Sequence, residues 1–242
     1  MDTTRPQMHL WQISASLQPL FGGHRNKAFR TVGLAQNLVF KTTRRTEAAM
    51  RWLEAVQNEA TGAGFRVPLP IPSRNGSLIE AGWTCEPFLA GRAFTPDEMP
   101  LIAPFIDPFH TRLSDYPQRP GFLSATALAQ HGKGGDVDLA AMPPRLAEIC
   151  RHVWAGLAPT TVVHGDLNPS NLIRCETGEI GLIDWDECRV DAPIFDIGQV
   201  SQPLSKQEAL ALRSWEAACS WQLEPAYARG LLEGIYHLAE GL

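Results

Sequence analysis

The stretch VVHGDLNPSNLI at 162–173, with GLIDWDE following at 181–187, constrains this chain most strongly. Two apolar runs lead straight into polar residues: His164, Asp166 and Asn171 in the first, Asp184 in the second. A carboxylate at the end of a buried strand is costly unless it is paired or binds a cation. Bringing such groups together therefore implies a shared metal or a reacting proton. The intervening RCETGE at 174–179 has turn chemistry. Leu172-Ile173 and Ile180–Ile183 thus read as a two-stranded ribbon that returns Asn171 and Asp184 to one end.

That ribbon interrupts a region that is otherwise helical. Upstream, PLFGGHRNKAFRTVG reads as strand, glycine turn and strand, and NLVFKTT as a third strand. In NLVFKTT, Leu38 and Phe40 share one face and Val39 and Lys41 the other. TEAAMRWLEAVQNEA is the clearest helix: Met50, Leu53 and Val56 recur at helical spacing, Thr46 or Thr43 caps it, and Gly62 and Gly64 stop it. In the Pro-rich stretch that follows, Arg74-Asn75-Gly76 reads as a hairpin turn between short strands. From Phe94 onward the texture is helical, over about 96–114, 138–157, 205–221 and 224–240. Residues 114–136 form a poorly structured connection whose HGKGG segment is a loop or lid. Residues 1–90 are thus expected to form a small sheet-rich lobe, and 91–242 a larger helical lobe.

Composition narrows the function classes. Apolar residues at 44% and charged residues at 19% describe a globular chain. A net charge of −5 argues against a nucleic-acid partner. No apolar run is long enough to cross a bilayer, so no membrane partner is expected. The start, MDTTRPQMHLWQ, shows no secretory pattern, and five scattered cysteines suit reduced thiols in the cytoplasm. The charge is uneven: 10 Lys/Arg against 6 Asp/Glu through residue 90, then 11 against 20. The first part suits a nucleotide, the second a metal or a cationic substrate.

Together, HGDLNPSN and IDWD resemble the signature of the aminoglycoside phosphotransferase and choline kinase-like family, a branch of the protein-kinase-like fold. His164-Gly165-Asp166 with Asn171 match its first motif, and Ile183-Asp184-Trp185 its second. The likeness runs from about residue 17 to about 200. It implies an α+β, bilobal fold: a small antiparallel sheet with one helix, then a larger helical lobe. It also implies an ATP- and Mg²⁺-dependent kinase that transfers the γ-phosphoryl group to a hydroxyl of a small-molecule acceptor. The acidic excess points towards an amino-bearing one.

The resemblance assigns roles residue by residue. Asp166 would receive the hydroxyl proton, and Asn171 and Asp184 would supply oxygen ligands to Mg²⁺. Lys41 would meet the ATP phosphates, oriented by Glu47, with Glu54 the alternative two turns on. The Gly22-Gly23 turn would cover the phosphates, aided by His24, Arg25 and Lys27. The backbone of Glu86 and Phe88, in the CEPFLAG hinge, would meet the adenine edge. Asp196 would brace the catalytic loop, and His164 would be structural. Asp186 faces a second metal or solvent, whereas Glu187 and Asp191 read as surface residues. The competing reading is a non-catalytic nucleotide-binding pseudokinase or scaffolding module. Without an A-P-E segment or a long activation loop, a protein kinase does not fit.

Overall fold

A computed structural model describes residues 5–20, 26–200 and 203–240. Strands β1 (Ser16–Leu20), β2 (Ala28–Val32) and β3 (Leu38–Thr42) precede helix α1 (Glu47–Gly62), β4 (Trp83–Pro87) and β5 (Gly91–Ala93). Helices α2 (Ala103–Arg112) and α3 (Ala125–His131) follow, then the short strands β6 (Lys133–Gly134) and β7 (Val137–Asp138), and α4 (Pro144–Trp154). The motif region contains β8 (Thr161–Val163), β9 (Leu172–Cys175), β10 (Ile180–Leu182) and β11 (Arg189–Asp191). Helices α5 (Ile194–Ile197), α6 (Lys206–Ser220), α7 (Pro225–Gly230) and α8 (Leu232–Leu238) come last.

The chain divides into two compact units, Met1–Ala93 with Leu172–Ile183, and Phe94–Asn171 with Asp184–Leu242. In the first, β1 to β4 form an antiparallel sheet in sequence order. Leu38 and Phe40 share one face of the sheet with Trp83 and Cys85 of β4, and together with Trp11 they form its core. Thr46 caps α1 by accepting the Ala49 N–H, and Met50, Leu53 and Val56 lie on its buried face. Helical spacing alone therefore selects which side of α1 is buried. β5 does not join this sheet. It pairs with β9, which pairs with β10, so the ribbon read from the sequence packs as a second sheet of this unit.

Arg74-Asn75-Gly76 does turn, with Gly76 at φ +77, but no strands flank it. The backbone N–H groups of Leu78 and Ile79 donate to Glu47 instead.

The second unit packs α3, α4 and α6 around Leu128, Leu146, Val153, Trp154, Leu210 and Trp215. The connection at 114–136 is better ordered than its composition implies. Ser124 caps α3 by accepting the Ala127 N–H, and β6 and β7 close a hairpin. Among the described residues no helix is long and apolar enough to cross a membrane. All five cysteines are free and buried.

Candidate functional site

β8 ends at Val163, paired with Arg189 of β11, and delivers His164 into a buried turn. The turn is held by Asp196, which is fully buried on α5. One of its oxygens accepts the His164 N–H at 2.9 Å and His110 Nε2 at 3.0 Å. The other accepts the Gly165 N–H at 2.9 Å. Burial alone would push the Asp196 carboxyl up. The His110 hydrogen bond, the neighbouring His110 and His164 imidazoles and the Gly165 N–H outweigh it and hold the carboxyl below its ordinary value.

Gly165 has a steric reason to be glycine. Its φ is +83, and a Cβ there would lie 2.6 Å from Arg189 Nη1 and 2.9 Å from the Glu187 carbonyl oxygen. His164 is fully buried, edge-on to Trp185 at 4.7 Å, and its Nδ1 accepts the Asp166 N–H at 3.3 Å. It shapes the turn rather than presenting a reactive face.

The Asp166 carboxylate accepts one bond from Asn168 Nδ2 at 2.9 Å and another from Asn171 Nδ2 at 2.8 Å. Burial, then the neighbouring Glu187 charge, push its carboxyl up, with Asp184 adding to the rise and the two asparagines opposing it; the result is about 7. A cation bound beside it would bring that value down.

Asn171 Nδ2 also donates to the Asp166 carbonyl oxygen at 2.9 Å. With the amide nitrogen committed to Asp166, the Asn171 side-chain oxygen remains as an acceptor. Asp184 sits at φ +61, a conformation that costs about 1–3 kcal/mol outside glycine and collects at functional sites. Both side chains offer hard oxygen donors. Among the described residues no group of three or more His, Cys, Asp or Glu side chains is arranged to hold a metal. One carboxylate and one amide oxygen, completed by substrate phosphates and water, nevertheless fit Mg²⁺, which rarely uses an all-protein cage.

Two acids expected at the surface are buried. Asp191 pairs with Arg189 Nε at 2.7 Å and accepts the Ala125 and Ala192 N–H groups. The Arg189 guanidinium also stacks 3.3 Å above the Trp215 ring centre. Glu187 is 9% exposed and accepts Trp215 Nε1 at 3.0 Å. It lines a cavity with Phe122, Leu123, Asp136, Val137 and Trp215. Tyr227 of α7 donates to Glu216; burial, that bond and surrounding negative charge, Asp166 included, push its hydroxyl up. Glu187 and Tyr227 are thus within electrostatic reach of Asp166, and the motifs flagged neither.

In the first unit, Lys41 Nζ lies 2.8 Å from Glu86 Oε1, a diagonal pair between β3 and β4. This replaces the expected pairing with the helix. Glu47 instead binds Arg51, the Ser77 hydroxyl and the Leu78 and Ile79 N–H groups. That engagement arises because the 74–79 turn presents donors to the start of α1. Glu54, the alternative, pairs with Arg51 at 3.2 Å. The Phe88 N–H already donates to the Asn37 carbonyl oxygen, and the Phe88 carbonyl accepts Gln36 Nε2. An adenine contact through that amide would have to displace Asn37. Gly22, Gly23, His24 and Arg25 lie outside the described residues.

Removing Asp196 should be costly. Asp196→Ala leaves the His164 and Gly165 N–H groups and His110 without their acceptor, so a loss of about 3–5 kcal/mol is expected at pH 7. Because the folded carboxyl is held low, its stabilisation is present above the unfolded value of about 3.9 and fades as pH falls through the folded one. The gap between variant and parent in urea unfolding should therefore narrow below about pH 4. A loss under about 1 kcal/mol at pH 7 would remove Asp196 as the brace.

A model of the phosphotransferase enzyme family (APH) matches residues 16–232. Among solved structures, the chain resembles choline kinase LicA from Streptococcus pneumoniae at 13% identity, with 94% of this chain and 95% of that one covered and a TM-score of 0.66. A putative fructosamine-3-kinase from Haemophilus somnus 129PT gives 12% identity, 96% and 94% coverage and a TM-score of 0.62. Spectinomycin phosphotransferase APH(9)-Ia, solved with ADP and spectinomycin, gives 12% identity, 96% and 91% coverage and a TM-score of 0.55. A search of curated proteins returned no match. At such identities the structural neighbours speak to the fold alone, which is protein-kinase-like. The family model spans nearly the whole chain, and on that ground the protein belongs to the phosphotransferase enzyme family.

Proposed function

We propose that this phosphotransferase uses Mg-ATP to phosphorylate a hydroxyl of a small, amino-bearing acceptor, with Asp166 as the catalytic carboxylate. The observation that carries the reading is the Asp166 constellation. Its two oxygens are fixed by Asn168 and Asn171, in a turn braced by Asp196. Phosphoryl transfer demands positioning and charge neutralisation more than covalent chemistry. A carboxylate held by two amide donors keeps lone pairs for a third partner, the acceptor hydroxyl. It orients that hydroxyl and takes its proton as the hydroxyl oxygen bonds the γ-phosphorus and the bond from that phosphorus to the β–γ bridging oxygen breaks, with ADP as the leaving group. Asn171 and Asp184 are the residues that would hold Mg²⁺, which when bound neutralises phosphate charge. Lys41, already beside Glu86, is the cation assigned to the ATP phosphates. ADP in the spectinomycin phosphotransferase structure supports nucleotide use by this fold.

We read the acceptor class from the acidic excess of residues 91–242, 20 Asp/Glu against 11 Lys/Arg, together with Glu187. The cavity beside Glu187 has room for about one water and would have to widen to admit an ammonium group. Its lining combines a buried carboxylate, a second acid in Asp136 and the aromatic rings of Phe122 and Trp215. Acid and ring faces together suit an ammonium group. Glu187 lies within electrostatic range of Asp166, so we assign the amino end of the acceptor to that side of the catalytic carboxylate.

Asp166→Asn keeps size and shape but removes most of the basicity. Its kcat should fall by about 10²–10⁴, with KM for ATP little changed. Near parental kcat would show that Asp166 is not the base. Glu187→Gln keeps an oxygen for Trp215 Nε1 and removes the charge. KM for an amino-bearing acceptor should rise about tenfold, equivalent to about 1.4 kcal/mol. KM for ATP should hold, and an unchanged acceptor KM would remove Glu187 from amine recognition.

A further inference from the structure

Arg119 lies in the connection between α2 and α3, far in sequence from every motif, and is only 1% exposed. Its Nη1 donates to three main-chain carbonyl oxygens: Trp185 at 3.2 Å, Asp186 at 3.0 Å and Cys188 at 3.1 Å. The one intervening carbonyl, that of Glu187, accepts Arg189 Nη1 at 3.0 Å. Four consecutive carbonyls after Asp184 are thus all turned onto two buried guanidinium groups. Burying a cation is costly, and this one is offset by main-chain oxygens. The Arg119 guanidinium also lies over the Phe122 ring, 4.5 Å from its centre, which fixes the fork from the other side.

The segment so held begins at Asp184, whose φ of +61 lies in the left-handed region that a non-glycine residue adopts at an energetic cost. We propose that Arg119 is a positioning residue. By gathering the 185, 186 and 188 carbonyls it holds Asp184 in the left-handed conformation that presents its carboxylate to the metal–nucleotide. The proposal rests on Asp184 as a metal ligand. Arg119 itself touches neither nucleotide nor acceptor. It acts through the backbone, as outer-shell partners of metal ligands do, and loss of such partners typically costs about 10–100-fold in metal affinity.

Two variants test the clamp. Arg119→Gln removes the charge and the convergent donors. Arg119→Lys keeps a cation whose three N–H donors radiate from one point, as the three carbonyls require. Two readouts are needed. The first is amide hydrogen exchange of residues 184–188 in metal-free protein, with α4 and α6 as internal references. The second is Mn²⁺ binding in the presence of ADP, followed by electron paramagnetic resonance.

Arg119→Gln should speed exchange in 184–188 about tenfold or more and weaken Mn²⁺ binding about tenfold or more, while α4 and α6 keep their protection. Arg119→Lys should bring both within about threefold of the parent. Unchanged exchange in 184–188, faster exchange spread equally over α4 and α6, or a lysine variant no better than glutamine would overturn the clamp. If the glutamine variant does not fold, the lysine variant decides alone, and a loss beyond about threefold in either readout rejects the proposal. Faster exchange in 184–188 with unaltered Mn²⁺ binding in Arg119→Gln would keep the clamp but reject Asp184 as a metal ligand, and with it the positioning role.

Discussion

An ionised carboxylate wholly removed from water is the constraint on which the site depends. Asp196 stays charged only because three donors converge on it, and two of them are the main-chain N–H groups of His164 and Gly165. The same bonds fix the path of the chain into Asp166. These bonds offset the cost of burying the acid and set the geometry of the turn that carries Asp166. Gly165 then follows from packing, since Arg189 and the Glu187 carbonyl fill the space a side chain would need. Once the turn is fixed, Asn168 and Asn171 can clamp the two Asp166 oxygens.

Buried charge is arranged around this centre in a consistent way. The buried cations are held by the protein itself: Arg189 by Asp191 and the Trp215 ring, Arg119 by three carbonyls. The charges of Glu187 and Asp184, by contrast, add to burial in pushing the Asp166 carboxyl up. A cation bound beside Asp166, such as the metal or the ammonium group of the proposed acceptor, would be favoured by that concentration of negative charge.

Much of the fold was legible because its signals are local. Thr46, the Ala-rich run and the spacing of Met50, Leu53 and Val56 specify α1 with little help from elsewhere. The β9–β10 ribbon follows from a turn flanked by apolar runs. α3 was missed because seven residues carry little periodicity, although Ser124 is a recognisable cap. The partner of Lys41 was missed for a different reason. Helix position favoured Glu47, but the choice was made across β3 and β4, where Glu86 is the diagonal neighbour, and by the donors of the 77–79 turn that engage Glu47. Glu187 and Asp191 looked like surface acids because Trp215, the partner of Glu187, lies 28 residues on, and because Arg189, although only two residues from Asp191, gives no sign in the sequence that the pair is buried. Arg119 was invisible for the same reason, since its acceptors are carbonyls and carbonyls leave no trace in a sequence.

The central claim is phosphoryl transfer from Mg-ATP to a small hydroxylated acceptor. It is tested most directly by ADP release across a panel of amino alcohols, amino sugars, neutral sugars and polyols, with mass spectrometry of each acceptor. The expected result is ADP release that requires both Mg²⁺ and an acceptor, strongest with amino-bearing compounds, and a matching phosphorylated product. Bound nucleotide with no acceptor-dependent ADP release from any compound, and no phosphorylated product, would contradict it.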